Sequence, residues 1–331
     1  MELAPTPKHV IHREGTARLY RFRMADGRHA EAGPVVLLVP SVINRWYVLD
    51  LRPGASLVQA LVAAGLDVFC LDWGAPEDED RYLGWDDLLR RLGRAARIVA
   101  RTRRVEKIGL LGYCMGGTLA GIHAALEPSA IGGLINLAGP FDFAKAGFLA
   151  GLTDPRWFDA EAIAAAGNVS ALQMQSGFVA LRPTSQLAKW IGFVDKAHDD
   201  ASREAFLALE AWASDNIPFP AAAYATYIRE LYQANALVAG RHHALGRRVD
   251  LSAIRCPVLT VVAERDAICP PAAATALNDA SGAKDREVLS VPGGHVGAVV
   301  GTRASRVLYP RIAGFFAEKL GPRRSEAIAR A

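Results

Sequence analysis

The chain has 331 residues, 51% of them hydrophobic, so it can bury a large core and is not a disordered protein. Its formal charge of +4 comes from arginines in short clusters, which argues against a nucleic-acid-binding surface. The four cysteines lack metal-ligand spacing, which argues against a metal site. The N-terminus lacks a signal-peptide pattern, which argues against export. Both observations favour a reducing cytoplasm.

Short apolar runs alternate with helical patterns along most of the chain. Residues 10–13 and 18–22 predict an antiparallel hairpin, and the core strands are predicted at 35–39, 66–71, 108–111, 134–137, 258–262 and 287–291. Helices are predicted at 56–64, 85–103, 115–126, 271–280 and 304–320. Strands that alternate with helices predict an α/β fold with a mostly parallel sheet and helices on both faces.

The strand pattern disappears in the middle of the chain. Helical patterns replace it at residues 159–166, 184–193, 202–214 and 221–236. We therefore predict a core in two parts, residues 1–140 and 246–331, with an inserted helical cap at 141–245. The uncharged run 108–125 is long enough to suggest a membrane span, but its glycines and His123 favour a buried strand, turn and helix, so no transmembrane segment is expected.

Cys114 stands in a strand-to-helix turn with glycines on both sides, Gly112 and Gly116. In such a turn the side chain is held above the sheet at a helix N-terminus, which favours a nucleophilic thiolate. The backbone N–H of Met115, and a second N–H around Val42, would then bind an oxyanion. The alternative is that Cys114 is a small buried cysteine in an ordinary turn.

A thiol nucleophile needs a base, and His295 follows a predicted strand and a Gly-Gly turn, where a hydrolase-type histidine lies. Its competitors are His9, His12, His29, His123, His198, His242 and His243. Two aspartates end core strands, Asp142 and Asp266. Asp266 is favoured as the acid because it gives the chain order nucleophile, acid, histidine, whereas Asp142 is predicted to shape the junction between core and cap.

A cysteine nucleophile favours acyl transfer from a thioester. Attack by a thiolate exchanges one thioester for another, so the acyl group stays activated and can then pass to an alcohol. This predicts transfer from a coenzyme A (CoA) thioester to a hydroxyl group, with water as the alternative acceptor. An arginine such as Arg45 or Arg182 would suit the CoA phosphates.

Several segments resemble the polyhydroxyalkanoate (poly-3-hydroxybutyrate) synthases of the α/β-hydrolase superfamily, which polymerise 3-hydroxyacyl-CoA. The matching segments are 39–53, 71–76, 112–118, 249–251, 254–257 and 293–297, with Trp212, Asp215, Pro218, Tyr227, Tyr232, Asn235 and Leu237 in the cap. The run Asn-Arg-Trp-Tyr-Val-Leu-Asp-Leu at 44–51 is the most specific of them. In length the chain looks most like the catalytic subunit of the two-component, short-chain (class III) type.

The resemblance implies roles for the three candidate residues. Cys114 would carry the growing acyl chain, His295 would deprotonate the thiol, and Asp266 with His295 would activate the 3-hydroxyl that attacks the acyl-enzyme. No cofactor is implied, because the CoA thioester is the substrate. The resemblance also implies a homodimer on polymer granules in the cytoplasm and, for the two-component type, a second subunit.

Two departures from this family pattern keep other functions open. Residue 267 is alanine where many relatives have histidine, and the chain lacks the helical segment that usually precedes the region around Thr6. The alternatives are a thioesterase, an esterase or a polymer depolymerase on the same fold, and a non-catalytic partner subunit of a synthase.

Overall fold

A sheet of eight strands forms the centre of the computed structural model, which describes residues 2–180 and 199–321. The strands are β1 (Lys8–Glu14), β2 (Ala17–Phe22), β3 (Val35–Val39), β4 (Asp67–Asp72), β5 (Ile108–Tyr113), β6 (Ile131–Leu137), β7 (Val258–Ala263) and β8 (Arg286–Val291). Their order in the sheet is β1-β2-β4-β3-β5-β6-β7-β8. β2 pairs antiparallel with β1 and β4, and all other pairs are parallel. The predicted hairpin and the six predicted core strands are all present.

Helices connect and cover the strands. They are α1 (Leu57–Ala63), α2 (Trp85–Arg103), α3 (Met115–Leu126), α4 (Phe148–Leu152), α5 (Ala160–Ala165), α6 (Ala171–Ala180), α7 (Asp200–Ser214), α8 (Ala221–Thr226), α9 (Pro271–Ala280), α10 (Gly297–Val300) and α11 (Tyr309–Leu320). Short 3₁₀ turns lie at Trp46–Leu49, Asp78–Tyr82, Pro128–Ala130, Phe143–Lys145 and Leu251–Ala253. Two small strand pairs join Asp50–Arg52 to Ala55–Ser56 and His243–Ala244 to Arg247–Arg248. The helix predicted at 184–193 lies outside the described residues.

Strand β3 is apolar throughout because both of its faces are covered. Val35, Leu37 and Val39 pack in the layer that contains α2 and α3, whereas Val36 and Leu38 pack in the layer that contains α1 and α11. Successive side chains of a strand point to opposite faces, and both faces are covered, so every position must be apolar.

Two predicted helices are interrupted by π-helical turns. The segment predicted as one helix at 221–236 is α8 followed by a π-helix at Tyr227–Gln233, and the segment at 304–320 begins with a π-helix at Ala304–Leu308. π-Helical turns place one extra residue in a turn and are frequent at functional sites. Helical periodicity in the sequence does not distinguish them from an α-helix.

Helices α4 to α8 lie between β6 and β7 in the chain, in the region predicted as a cap. Within this region, the Asn235 side-chain oxygen accepts from the Phe143 N–H and its side-chain nitrogen donates to Asp142, both at 2.9 Å. The Asp142 N–H donates to the Ala273 carbonyl of α9 in the core at 3.1 Å, so Asp142 lies between the core and the region predicted as a cap. Within the described ranges, no helix is long and apolar enough to cross a membrane.

Candidate active site

Cys114 lies in a tight turn between β5 and α3. Its φ of 56° and ψ of −128° are unusual for a residue with a side chain, and strained conformations of this kind cluster at active sites. The Cys114 N–H donates to the Leu137 carbonyl at 2.9 Å, and its own carbonyl accepts from the Gly117 N–H at 2.8 Å. These bonds fix a half-buried thiol at the N-terminus of a helix.

The glycines beside Cys114 are required by close backbone contacts. A Cβ atom on Gly112 would lie 2.2 Å from the Gly116 carbonyl oxygen, and one on Gly116 would lie 2.0 Å from the Val39 carbonyl oxygen. No side chain fits at such distances, so α3 can pack this closely against β3 and β5 only with glycine at both positions.

His295 and Asp266 form a hydrogen-bonded pair next to this turn. Asp266 follows β7, His295 follows β8, and the Nδ1 atom of His295 lies 2.7 Å from an Asp266 carboxylate oxygen. The other carboxylate oxygen accepts from the N–H groups of Ile268 and Cys269, both at 2.9 Å. Both side chains are buried. Asp266 is thus fixed by its own loop, and it fixes the orientation of the imidazole in turn.

The charge state of His295 depends on Cys114. Burial by itself would lower the pKa of His295, but the Cys114 charge and the bond with Asp266 outweigh burial and raise the pKa to about 10. The buried Nε2 atom has no well-aligned hydrogen bond among the described residues, but Cys114 lies close enough for its charge and a hydrogen bond to raise the pKa of His295. This arrangement favours a protonated imidazole beside Cys114.

Replacing Cys114 by alanine is expected to lower the pKa of His295 markedly. The substitution removes the largest effect that raises this pKa, while burial continues to favour the neutral imidazole. Side-chain ¹⁵N resonances of the histidines, followed by NMR over a pH series, would show the change. Cys256→Ala, which removes a thiol elsewhere in the chain, is the control. An unchanged titration midpoint in the Cys114 variant would contradict the coupling.

Tyr113 supports His295 from a second side. The two rings stack with centroids 5.3 Å apart and planes inclined by 27°. The tyrosine is 1% exposed, and its hydroxyl has no hydrogen-bond partner among the residues the structure covers. The sequence predicted no role for Tyr113, although its position directly before Cys114 is a signal that could have suggested one.

The chain matches two protein families. The family described as alpha/beta hydrolase fold matches residues 34–302, and the family described as poly-beta-hydroxybutyrate polymerase (PhaC) N-terminus matches residues 1–61. The poly(3-hydroxyalkanoate) polymerase subunit PhaC of Synechocystis sp. is 34% identical over 325 residues, which is 95% of this chain and 85% of the relative. The chain belongs to the PhaC family.

Two other PhaC proteins are also similar to this chain over most of its length. The PhaC subunit of Allochromatium vinosum is 31% identical over 95% of this chain and 89% of its own length. The PhaC subunit of Haloferax mediterranei is 32% identical over 96% of this chain, which spans only 65% of that longer relative.

Solved structures confirm the α/β-hydrolase fold predicted from the sequence. A putative lipase from Sulfolobus solfataricus superposes with a TM-score of 0.59 at 16% identity, over 94% of this chain and 93% of its own. Est1E from Butyrivibrio proteoclasticus gives 0.57 at 15% identity, over 95% and 100% of the two chains. At such low identity the likeness concerns the fold alone.

In this PhaC chain the loop after β3, which includes Val42, is bound to the cap. Arg45 donates to Asp215 at 3.0 Å through Nε, and the Tyr47 hydroxyl donates to Asp215 at 2.8 Å. The Trp212 indole N–H donates to the Arg45 carbonyl at 3.0 Å. We call these four residues, Arg45, Tyr47, Trp212 and Asp215, the Asp215 bracket. Arg45 thus has a partner inside the protein, and Arg182 lies outside the described residues.

The remaining histidines have other surroundings. Burial and the nearby Arg97 charge lower the pKa of His123 to about 4, so its imidazole is neutral. His242, predicted in a polar loop, is fully buried instead, with its Nδ1 atom 2.8 Å from Glu230. His198 lies outside the part of the chain that the structure covers.

The other three thiols lack the features of a nucleophile. Burial raises the pKa of Cys70 and Cys269 well above the ordinary thiol value, and that of Cys256 to about 11. All four cysteines are free. Across residues 2–180 and 199–321, no group of three or more His, Cys, Asp or Glu side chains could hold a metal ion.

A cavity of about 370 Å³ extends from Cys114 and Met115 beneath the cap. Its wall includes Pro140 and Ile268 from the core and Tyr224, Tyr227 and Tyr232 from the cap. Tyr227 and Tyr232, which the sequence offered only as part of the family pattern, lie close enough for the Cys114 charge to act on both hydroxyls.

Proposed function

We propose that this chain is a polyhydroxyalkanoate synthase that polymerises 3-hydroxyacyl-CoA and releases CoA. The observation that carries the proposal is the arrangement of Cys114 in the strained turn beside the hydrogen-bonded pair of His295 and Asp266. Membership of a polymerase family supports the acceptor being a hydroxyl group rather than water. The CoA thioester is the substrate, and no cofactor takes part.

In the first half-reaction the Cys114 thiolate attacks the thioester carbonyl carbon. The Met115 N–H would stabilise the oxyanion, since the first N–H groups of a helix have no partner within the helix, and we assign the second donor to Val42. The carbon–sulfur bond to CoA then breaks. The imidazolium of His295 gives its Nε2 proton to the leaving CoA thiolate, which leaves an acyl-Cys114 and a neutral imidazole.

In the second half-reaction the neutral imidazole acts as the base. Nε2 of His295 takes the proton from the 3-hydroxyl of the acceptor while Asp266 stabilises the imidazolium through Nδ1. The alkoxide attacks the acyl carbon, an ester bond forms, and Cys114 leaves as a thiolate. The thiolate–imidazolium pair is thereby restored, and exchange of a thioester for an ester drives the reaction forward.

The Asp215 bracket is expected to matter for rate more than for stability. Asp215→Ala removes the partner of Arg45 and Tyr47, so the loop that carries Val42 loses two bonds to the cap. We expect kcat to fall about tenfold. This loss is smaller than the loss caused by removing an oxyanion donor outright, because the loop is weakened but the Val42 N–H remains. The free energy of unfolding should change by less than about 1 kcal/mol, because the ion pair is partly exposed.

Steady-state kinetics and urea unfolding would test this role. Asp200→Ala, which breaks the exposed ion pair with Arg203 on α7, is the matched control and should leave kcat unchanged. An unchanged kcat in the Asp215 variant would show that the oxyanion loop does not depend on the cap.

Further features of the family resemblance are carried over as proposals. The protein would work as a homodimer at the surface of polymer granules in the cytoplasm, with a second synthase subunit. Arg45 and Arg182 remain proposed contacts of the CoA phosphates, and an unchanged KM for the thioester in an Arg45→Ala variant would remove Arg45 from that role.

The function is tested by incubating the protein with 3-hydroxybutyryl-CoA and measuring both CoA release and product. Intact-mass analysis should show a 3-hydroxybutyryl adduct, which peptide mapping should place on Cys114, and the product should be polyester. Release of 3-hydroxybutyrate alone would make the chain a hydrolase. Absence of an adduct from 3-hydroxybutyryl-CoA and from a longer 3-hydroxyacyl-CoA, each tested alone and with a second PhaC-type synthase subunit, would contradict the proposal.

A further inference from the structure

The cavity beside Cys114 has a predominantly apolar wall on the cap side. Leu149 and Leu152 of α4, Ile163 of α5, Met174 of α6 and Phe158 line it. The described residues that line it include no Asp, Glu, Lys, Arg or His. Burying a charged group against such a wall is costly, so the charged part of a CoA thioester must lie elsewhere and an uncharged part must occupy the cavity.

The volume of the cavity exceeds the needs of a short acyl group. A cavity of about 150 Å³ in another protein holds one benzene molecule. The cavity here measures about 370 Å³, more than twice that volume. The 3-hydroxybutyryl group is about the size of benzene, and its only side chain is a methyl group. It would leave most of the aliphatic wall without contact, and packing would be lost.

We propose that the substrates of this chain are 3-hydroxyacyl thioesters of medium chain length, such as the 3-hydroxyoctanoyl thioester, whose alkyl side chain fills this cavity. This inference rests on the proposed function, because it assumes that the acyl group is attached to Cys114. It departs from the short-chain preference that the family resemblance implied. Each buried methylene should improve binding up to about fourfold.

Leu152 is the residue best suited to test the cavity. It lies on the wall in the short helix α4, and phenylalanine in its place would fill part of the space without adding a polar group. Leu172 on α6 is 73% exposed and is not among the described lining residues, so Leu172→Phe adds the same group elsewhere on the cap. Leu152→Ala would enlarge the cavity.

Binding can be measured without turnover through protection of Cys114 from iodoacetamide. The probes are N-methyl 3-hydroxybutanamide and N-methyl 3-hydroxyoctanamide, amides that resist transfer to a thiol. We expect half-protection by the octanamide at a concentration at least about tenfold lower than by the butanamide. Leu152→Phe should reduce this ratio to below about threefold, whereas Leu172→Phe should preserve it and Leu152→Ala should not lower it.

Equal protection by the two amides, or better protection by the butanamide, would overturn the inference. So would an unchanged ratio in both Leu152 variants, because another surface would then bind the alkyl chain. A parallel competition between 3-hydroxybutyryl-CoA and 3-hydroxyoctanoyl-CoA, read as adducts on Cys114, separates the two proposals. Adducts of the short group alone would overturn the chain-length inference only, while absence of any adduct would overturn the proposed function.

Discussion

Replacing Cys114 by alanine is expected to abolish polymer formation and CoA release, with a loss of at least about 10⁴-fold in kcat. In the proposed mechanism the Cys114 sulfur forms the acyl-enzyme. No other described cysteine is suited to this role, because Cys70 and Cys269 are buried and all three other thiols have raised pKa values. CoA release measured with a thiol reagent, together with polymer analysis, would show the loss.

The control for this experiment is Cys256→Ala. Cys256 precedes β7, at the end of the strand opposite to Asp266, so its loss should change kcat by less than about threefold. Cys114→Ser is informative as well, because an acyl-serine is an ester and transfer to a hydroxyl is then no longer driven forward. Retention of more than about a hundredth of the activity in Cys114→Ala would contradict covalent catalysis at this residue.

Gly116→Ala is expected to have the second largest effect. The added Cβ would lie 2.0 Å from the Val39 carbonyl oxygen and 2.5 Å from that of Pro40, both in the backbone. Since neither can move as a side chain would, α3 must shift away from β3. We expect a loss of about 3 kcal/mol or more in the free energy of unfolding, measured by urea denaturation. Any folded fraction should be at least about 100-fold less active, because Met115 moves with the helix.

The matched control is Gly314→Ala in α11. A Cβ atom there has nothing within 4 Å, and the residue is exposed in the interior of a helix. Alanine at such a position should stabilise the protein by roughly 0.5 to 1 kcal/mol and leave kcat unchanged. Wild-type stability and activity in Gly116→Ala would show that the turn tolerates a side chain and that the two glycines have another purpose.

Much of the fold was predictable because its signals are local. Strands β3 to β7 are buried on both faces, so most of their positions are apolar, whereas β8 lies at the edge of the sheet and alternates between exposed and more buried residues. The positions of Cys114, Asp266 and His295 were predictable for a related reason. Each lies in the turn that follows a strand, and strands of a parallel sheet end at the same edge.

The supporting contacts of the site could not be predicted, because they join residues that are distant in the chain. Nothing local in the sequence places Asp215 beside Arg45, which precedes it by 170 residues. The stacking of Tyr113 on His295 could not be predicted either, because the relative position of the two rings depends on how β5 and β8 are arranged across the sheet. The π-helix at Tyr227–Gln233 shares its residue pattern with an α-helix, so only the structure reveals it.

The Asp215 bracket links the loop that carries Val42, the proposed oxyanion donor, to the cap. A displacement of the cap that breaks these bonds would also release the loop that carries Val42, so an open enzyme would bind substrate without being able to acylate Cys114. Coupling of this kind is reciprocal: an inhibitor that mimics the tetrahedral intermediate must also stabilise the closed cap. The activated acyl group would then form only in the closed state. Because bulk water is excluded from that state, premature attack by water on the acyl group would be limited.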